Sequence, residues 1–90
     1  MKTYQISIEH SYDSHGFKDF AWISEAAQLR LFKGLWELPP AGTTSIQRWH
    51  DMEKNVFYVV TTPFSIHVIR DVVMAAFNGA GPVWDLTELT

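Results

Sequence analysis

The sequence predicts an α+β domain in which four antiparallel strands form one sheet and two helices pack on one face of it. Short segments with alternating or β-branched residues occur at four places, and two longer segments have helical spacing. Their order along the chain is β-α-β-β-α-β, and prolines and glycines mark several of the breaks between them. The chain has 90 residues, which suits one domain spanning residues 1–90.

The first predicted strand, Lys2–His10, alternates polar and apolar residues. One face carries Tyr4, Ile6, Ile8 and His10, and the other carries Thr3, Gln5, Ser7 and Glu9. A period of two is typical of a strand with one buried face. The small and polar segment that follows, Ser11–Gly16, predicts a loop.

The first predicted helix, Phe17–Leu38, has two adjacent apolar rows. The first row contains Phe20, Ile23, Ala27, Leu31 and Leu35, and the second contains Trp22, Ala26, Leu29, Phe32 and Trp36. Together they form an apolar face wider than packing on one sheet requires. An alternative makes Phe17–Ile23 a short strand and begins the helix at Ser24, a good N-cap residue. Either way, Pro39 and Pro40 end the helix.

A hairpin follows, with predicted strands Ser45–His50 and Val56–Thr61 joined by the polar segment Asp51–Asn55. Both faces of the second strand are apolar. Val56, Tyr58 and Val60 lie on one face, and Phe57 and Val59 lie on the other. A strand that is apolar on both sides is typical of burial on both sides. The strand therefore predicts a homodimer that is joined through the sheets.

The second predicted helix begins with Thr62 as N-cap and Pro63 in the first turn. Apolar residues then recur at helical spacing until Asn78-Gly79, which predicts a left-handed C-cap. Gly81-Pro82 predicts a turn, and Val83–Leu89 a last short strand. Because parallel crossovers are right-handed, this order folds naturally into the ferredoxin-like arrangement.

Composition excludes several classes of protein. The formal net charge is −3 and the seven basic residues are scattered, which argues against a nucleic-acid partner. The absence of cysteine excludes disulfides and thiolate chemistry. The N-terminus lacks the apolar segment of a signal peptide, and the longest apolar run, Val72–Phe77, is too short to span a bilayer. We therefore expect a cytoplasmic protein without a membrane partner.

The residues best suited to chemistry cluster in the hairpin. His50 is a candidate acid or base, and Arg48 and Tyr58 are candidates to bind a carboxylate or an enolate. His10 could supply a second acid or base, while Trp49 and Trp22 are candidate ligand contacts. Adjacent strand residues point to opposite faces, so Trp49 and His50 share a pocket only if a bulge intervenes.

The simpler alternative gives these histidines structural roles. In that case His50 ends its strand and bonds the backbone or Asp51, and His10 is a satisfied residue at a strand end. No His-x-x-x-His spacing supports a metal site, and we expect no metal and no cofactor.

The segment Leu38–Asp51, LPPAGTTSIQRWHD, followed by FYVVTT, a helix and a terminal strand, resembles the dimeric α+β-barrel superfamily. That group includes antibiotic-biosynthesis-monooxygenase-like domains and muconolactone isomerase, and the chain is most similar to uncharacterised members. The resemblance implies two ferredoxin-like protomers that pair their sheets, each with a ligand pocket between sheet and helices. Its characterised members include cofactor-free oxygenases, isomerases, cyclases and haem-degrading enzymes. The last of these use a helix histidine, but the surroundings of His67 carry no such signature.

Two functions remain open at the level of sequence. The first is a small homodimeric domain that binds a hydrophobic organic molecule, with the activity of a cofactor-free isomerase, cyclase or monooxygenase. The second is a non-catalytic interaction or regulatory module that uses exposed aromatic residues to bind a protein. Polar groups converging beside an apolar cavity would favour the first, and an open tryptophan patch would favour the second.

Overall fold

A computed structural model describes residues 1–8, 25–52, 56–77 and 83–90. Its elements follow the predicted order. They are β1 (Lys2–Ile8), α1 (Glu25–Trp36), β2 (Ser45–His50), β3 (Val56–Thr62), α2 (Ile66–Phe77) and β4 (Trp84–Glu88). The predicted α+β class and ferredoxin-like arrangement are confirmed. Neither described helix is long and apolar enough to cross a membrane.

The four strands form one antiparallel sheet in the order β2-β3-β1-β4. Its register aligns one row of residues across all four strands. Arg48 lies opposite Tyr58, Tyr58 opposite Ile6, and Ile6 opposite Leu86. Because side chains alternate along a strand, the members of this row point to the same face of the sheet.

That face packs against both helices and forms the core. Except for Lys2 at the start of β1, the even-numbered residues of β1 and β3 are buried, so Tyr4, Ile6, Tyr58 and Val60 are almost wholly inaccessible to solvent. The helices contribute Ala27, Leu31, Leu35, Ile69, Val73, Ala76 and Phe77 to the same cluster. The predicted inner row of the first helix is therefore confirmed over its described part.

The helices approach each other closely at Gly34. A Cβ atom built on Gly34 would lie 2.9 Å from Cγ1 of Val72 on α2, closer than two carbon atoms normally pack. Nearby, Nε of Arg30 donates a 2.8 Å hydrogen bond to the carbonyl oxygen of Ala76 in the last turn of α2. An arginine near the C-terminal carbonyls also complements the helix dipole.

The first helix ends earlier than predicted. It stops at Trp36, and the chain then turns, with the amide of Gly42 donating to the carbonyl of Trp36 at 3.1 Å. Gly42 has a φ of 82°, the left-handed conformation that glycine adopts without a steric penalty. The predicted segment Phe17–Ser24 lies outside the described residues, and so do Glu9 and His10 at the end of the first predicted strand.

The predicted start of the second helix is wrong. Thr62 is not an N-cap; it is the last residue of β3, paired with Lys2, and the helix begins at Ile66. The Thr62 hydroxyl is occupied in the strand, because it bonds the Thr44 hydroxyl at 2.7 Å and accepts from the amide of Phe64 at 3.2 Å. The predicted Asn78-Gly79 cap and Gly81-Pro82 turn lie outside the described residues.

Candidate functional site

The helix-facing side of β2 is the part of the core face that is left open to solvent. Arg48 lies opposite Tyr58 and His50 lies opposite Val56. Tyr58 and Val56 are buried, whereas Arg48 and His50 are exposed. β2 is an edge strand without a neighbour on its outer side, and Arg48 and His50 remain accessible there although α1 contacts β2.

Tyr58 links the sheet to the helix beside this opening. Its hydroxyl donates a 2.8 Å hydrogen bond to Oε1 of Gln28 on α1. The ring of Phe32 packs edge-on against it, with centroids 6.0 Å apart and an interplanar angle of 78°. Burial raises the pKa of the Tyr58 phenol above its ordinary value, and the positive charge of Arg48 partly opposes this shift. The Arg48 guanidinium therefore lies close enough to act on Tyr58.

One side of α1 borders the opening with apolar surface. Gln28, Phe32 and Trp36 follow one another at steps of four residues, so these side chains are neighbours on the side of α1 next to its buried row. Phe32 is half-buried against the core and Trp36 is 61% exposed, so both present apolar surface on this side. We call the region between this side of α1 and the outer half of β2 the α1–β2 groove.

The side chains of the α1–β2 groove carry hydrogen-bond donors that have no partner among the described residues. Oε1 of Gln28 is occupied by Tyr58, while the Gln28 amide nitrogen donates to no other described residue. The Arg48 guanidinium likewise forms no hydrogen bond or ion pair with any residue that the structure describes. An arginine carries five N–H donors and the amide carries two, so the groove is suited to an acceptor-rich group.

The structure brings together three of the six residues singled out from the sequence. Arg48, His50 and Tyr58 share the helix-facing side of the hairpin. Trp49 points to the opposite side of the sheet, because it pairs with Phe57, so it cannot share their site. The other two, His10 and Trp22, lie outside the described residues.

Three residues of the groove were not identified as site residues from the sequence. Gln28, Phe32 and Trp36 were missed because they lie beside the buried row of α1 rather than in it. The available signal was their spacing of four residues. Tyr58 was identified, but it is completely buried, so it can orient Gln28 and cannot itself meet a ligand in this conformation.

The opposite surface of the sheet, which we call the open sheet face, is not covered by either described helix. The odd-numbered residues of β1 and β3, including Phe57 and Val59, are only half-buried. Trp49 is 48% exposed beside Phe57, and Gln47 lies opposite Val59. The centre of this face therefore presents an apolar strip formed by Trp49, Phe57 and Val59.

No group of three or more histidine, aspartate and glutamate side chains that could hold a metal ion occurs among the described residues. His67 is exposed near the start of α2. No protein-family model, curated protein or solved structure matches the chain. The resemblance to the dimeric α+β-barrel superfamily therefore stays a prediction, and the functional proposals below are supported by the geometry of the chain.

Proposed function

We propose that this protein is a cytoplasmic homodimeric domain that binds a hydrophobic small organic molecule in the α1–β2 groove. The observation that carries the proposal is that apolar and polar side chains meet around Tyr58. Phe32 packs on its ring, Gln28 accepts from its hydroxyl, and Arg48 lies opposite it on β2. Phe32 and Trp36 supply the apolar surface, and Arg48 and His50 supply the polar groups. Binding sites for small molecules combine mostly apolar walls with a few converging polar groups.

Each polar residue has a distinct role in this proposal. Arg48 stabilises negative charge on the ligand, and Tyr58 fixes Gln28 from below through its hydrogen bond. His50 supplies an imidazole, the side chain that most often acts as a general acid or base. An arginine that stabilises an enolate and a histidine that moves a proton would together support an isomerase or cyclase without a cofactor. Binding is the primary proposal, and turnover is its extension.

A hydrophobic probe without charge tests the groove directly. N-phenyl-1-naphthylamine becomes fluorescent when it enters an apolar site, and we expect it to bind the wild-type chain. Trp36→Glu places a charge on the exposed wall and should weaken binding about tenfold, because burying a large apolar side chain is worth about 1.5–3 kcal/mol. Met74→Glu is the matched control, since Met74 is a similarly exposed apolar residue, 56% accessible, on α2.

The two variants separate the possible outcomes. Loss of binding in Trp36→Glu with retention in Met74→Glu supports the proposed site. Equal binding by the wild type and Trp36→Glu contradicts it. Because both positions are exposed in helices of the same length, circular dichroism should show folded protein in each case.

The homodimeric part of the proposal is supported by the open sheet face. Trp49, Phe57 and Val59 form an apolar strip on the side of the sheet that neither described helix covers. Contiguous apolar surface on a small chain is typical of an interaction site. A second copy of the chain would bury the strip by packing its own sheet against it.

The alternative function is a non-catalytic interaction or regulatory module, and the same strip favours it. In that case the open sheet face binds a different protein, and the α1–β2 groove has no ligand. The probe distinguishes the two functions. Weaker binding of N-phenyl-1-naphthylamine to Val59→Lys, with no effect of Trp36→Glu, would support the interaction module.

A further inference from the structure

We propose that the ligand of the α1–β2 groove is an amphipathic carboxylic acid, whose carboxylate binds Arg48 and the Gln28 amide while its hydrophobic body lies against Phe32 and Trp36. This inference rests on the proposed function, because it names the chemical class of molecule that the groove would select. It adds a charge requirement that hydrophobic binding alone does not contain.

The first argument is the balance of donors and acceptors. The Gln28 oxygen already accepts from the Tyr58 hydroxyl, and its two N–H donors bond no other described residue. Arg48 adds a planar fork of donors on the facing strand, and no described carboxylate forms an ion pair with it. A ligand that brought further donors would leave these groups unsatisfied, whereas a carboxylate accepts from both.

The second argument concerns geometry and charge number. Arginine matches a carboxylate through two parallel N–H···O bonds, and such bonds are stronger than neutral ones. Arg48 is the permanent cation that the described residues place on the helix-facing side of β2. A single cation is matched by a ligand that carries one negative charge. The formal net charge of −3 attracts no anions over long distances, so recognition has to come from this local contact.

The third argument is that the donors are held in place. Tyr58 is wholly buried and Phe32 packs against its ring, so the Gln28 side chain is anchored from below at a fixed position. A donor that is already ordered binds an anion without the entropic cost of ordering its side chain. The ring of Trp36 lies against Gly42, where an added Cβ would be 3.0 Å from the ring. This contact also holds the apolar wall of the groove in place.

Two matched pairs of probes test the charge requirement: 2-naphthoate with 2-naphthamide, and octanoate with octanamide. Each pair keeps the hydrophobic body and changes only the head group. We expect the wild-type chain to prefer the acid about tenfold or more, as the strength of charge-assisted hydrogen bonds implies. Chemical-shift changes in ¹H–¹⁵N spectra should include the Gln28 side-chain amide and Nε of Arg48.

Arg48→Gln should abolish the preference for the acid while leaving weak binding of the amide. Arg70→Gln is the matched control, because it removes the same charge from α2, the helix beside β4, and should keep the preference. Equal binding of acid and amide by the wild type would overturn the carboxylate inference and leave the groove itself supported. Binding of neither member of either pair would contradict the inference and the proposed function together.

Discussion

The hydroxyl of Tyr58 donates a 2.8 Å hydrogen bond to Oε1 of Gln28, which joins an inner strand of the sheet to the first helix. The donor is sealed from solvent and the acceptor is only half-buried. One contact therefore anchors the core on one side and orients a surface amide on the other. Because the contact has both roles, substitutions can distinguish its effect on stability from its effect on ligand binding.

Tyr58→Phe should lower the free energy of unfolding by about 0.5–1.5 kcal/mol, the usual net value of one hydrogen bond. The variant keeps the ring and its contact with Phe32, while Gln28 can recover a hydrogen bond from water. Tyr4→Phe is the matched control, because Tyr4 is equally buried and its hydroxyl donates to the carbonyl of Phe64 at 2.9 Å. Urea unfolding measures both losses.

The two phenylalanine variants should differ in ligand binding. Tyr58→Phe frees the Gln28 side chain and should weaken binding of 2-naphthoate, whereas Tyr4→Phe should leave it unchanged. Equal affinities in the two variants would show that the orientation of Gln28 has no role in the groove.

Alkaline pH should destabilise the fold through Tyr58. Burial raises the pKa of its phenol in the folded protein above the ordinary value of about 10, so the unfolded chain loses this proton first as pH rises. The contribution of Tyr58 to the free energy of unfolding is therefore unchanged at neutral pH and decreases above pH about 10. Thermal unfolding between neutral and strongly alkaline pH measures this decrease.

Tyr58→Phe should remove that part of the alkaline decrease, since phenylalanine has no proton to lose. Tyr4→Phe, which keeps Tyr58, should retain it. An identical alkaline profile in wild type and Tyr58→Phe would contradict the raised pKa.

Gly34→Ala should destabilise the packing of the two helices. The added methyl would lie 2.9 Å from Cγ1 of Val72, and overpacking of a tight contact costs about 1–3 kcal/mol. Alanine favours a helix over glycine by about 1 kcal/mol, so the net loss should be smaller than the steric cost. The double variant Gly34→Ala with Val72→Ala should recover part of the loss. A single variant more stable than wild type would show that α2 shifts without cost.

The sequence predicted the faces of the strands better than the ends of the helices. A period of two assigns Arg48, His50 and Tyr58 to one face and Trp49 to the other once the strand bounds are right, and the hairpin bounds were nearly right. The helix start predicted from Thr62-Pro63 was wrong. A threonine before a proline also suits the end of a strand, where its hydroxyl bonds a neighbour, here Thr44.

The contact between Tyr58 and Gln28 could not be predicted from local pattern. It depends on the rotation of α1 relative to the sheet, which is decided by packing of the whole core. Likewise, the exposure of Leu29 and Trp36 depends on which side of α1 faces the sheet, and that side carries Ala27, Leu31 and Leu35. The excess apolar width of the helix was visible in the sequence, but which of its residues stayed outside the core was not.

Dimerisation through the sheets predicts that a charged side chain at Val59 dissociates the dimer. The wild-type protein should sediment at micromolar concentration as a dimer of 10.3 kDa chains. Val59→Lys should dissociate it, because the ammonium would be buried against the apolar strip of a second sheet, and desolvating an unpaired charge costs several kcal/mol. Val59 is half-buried on the side away from the core, so the lysine can extend into solvent in the monomer and the fold should survive.

Met74→Lys is the control, since it adds the same charge on the exposed side of α2 and should remain dimeric. A wild-type chain that sediments as a monomer would refute dimerisation, and the apolar strip would then favour a different protein partner. A Val59→Lys variant that remains dimeric would place the interface elsewhere. Since Val59 and the α1–β2 groove lie on opposite faces of the sheet, a monomeric variant that still binds 2-naphthoate would show that each protomer contains a complete groove.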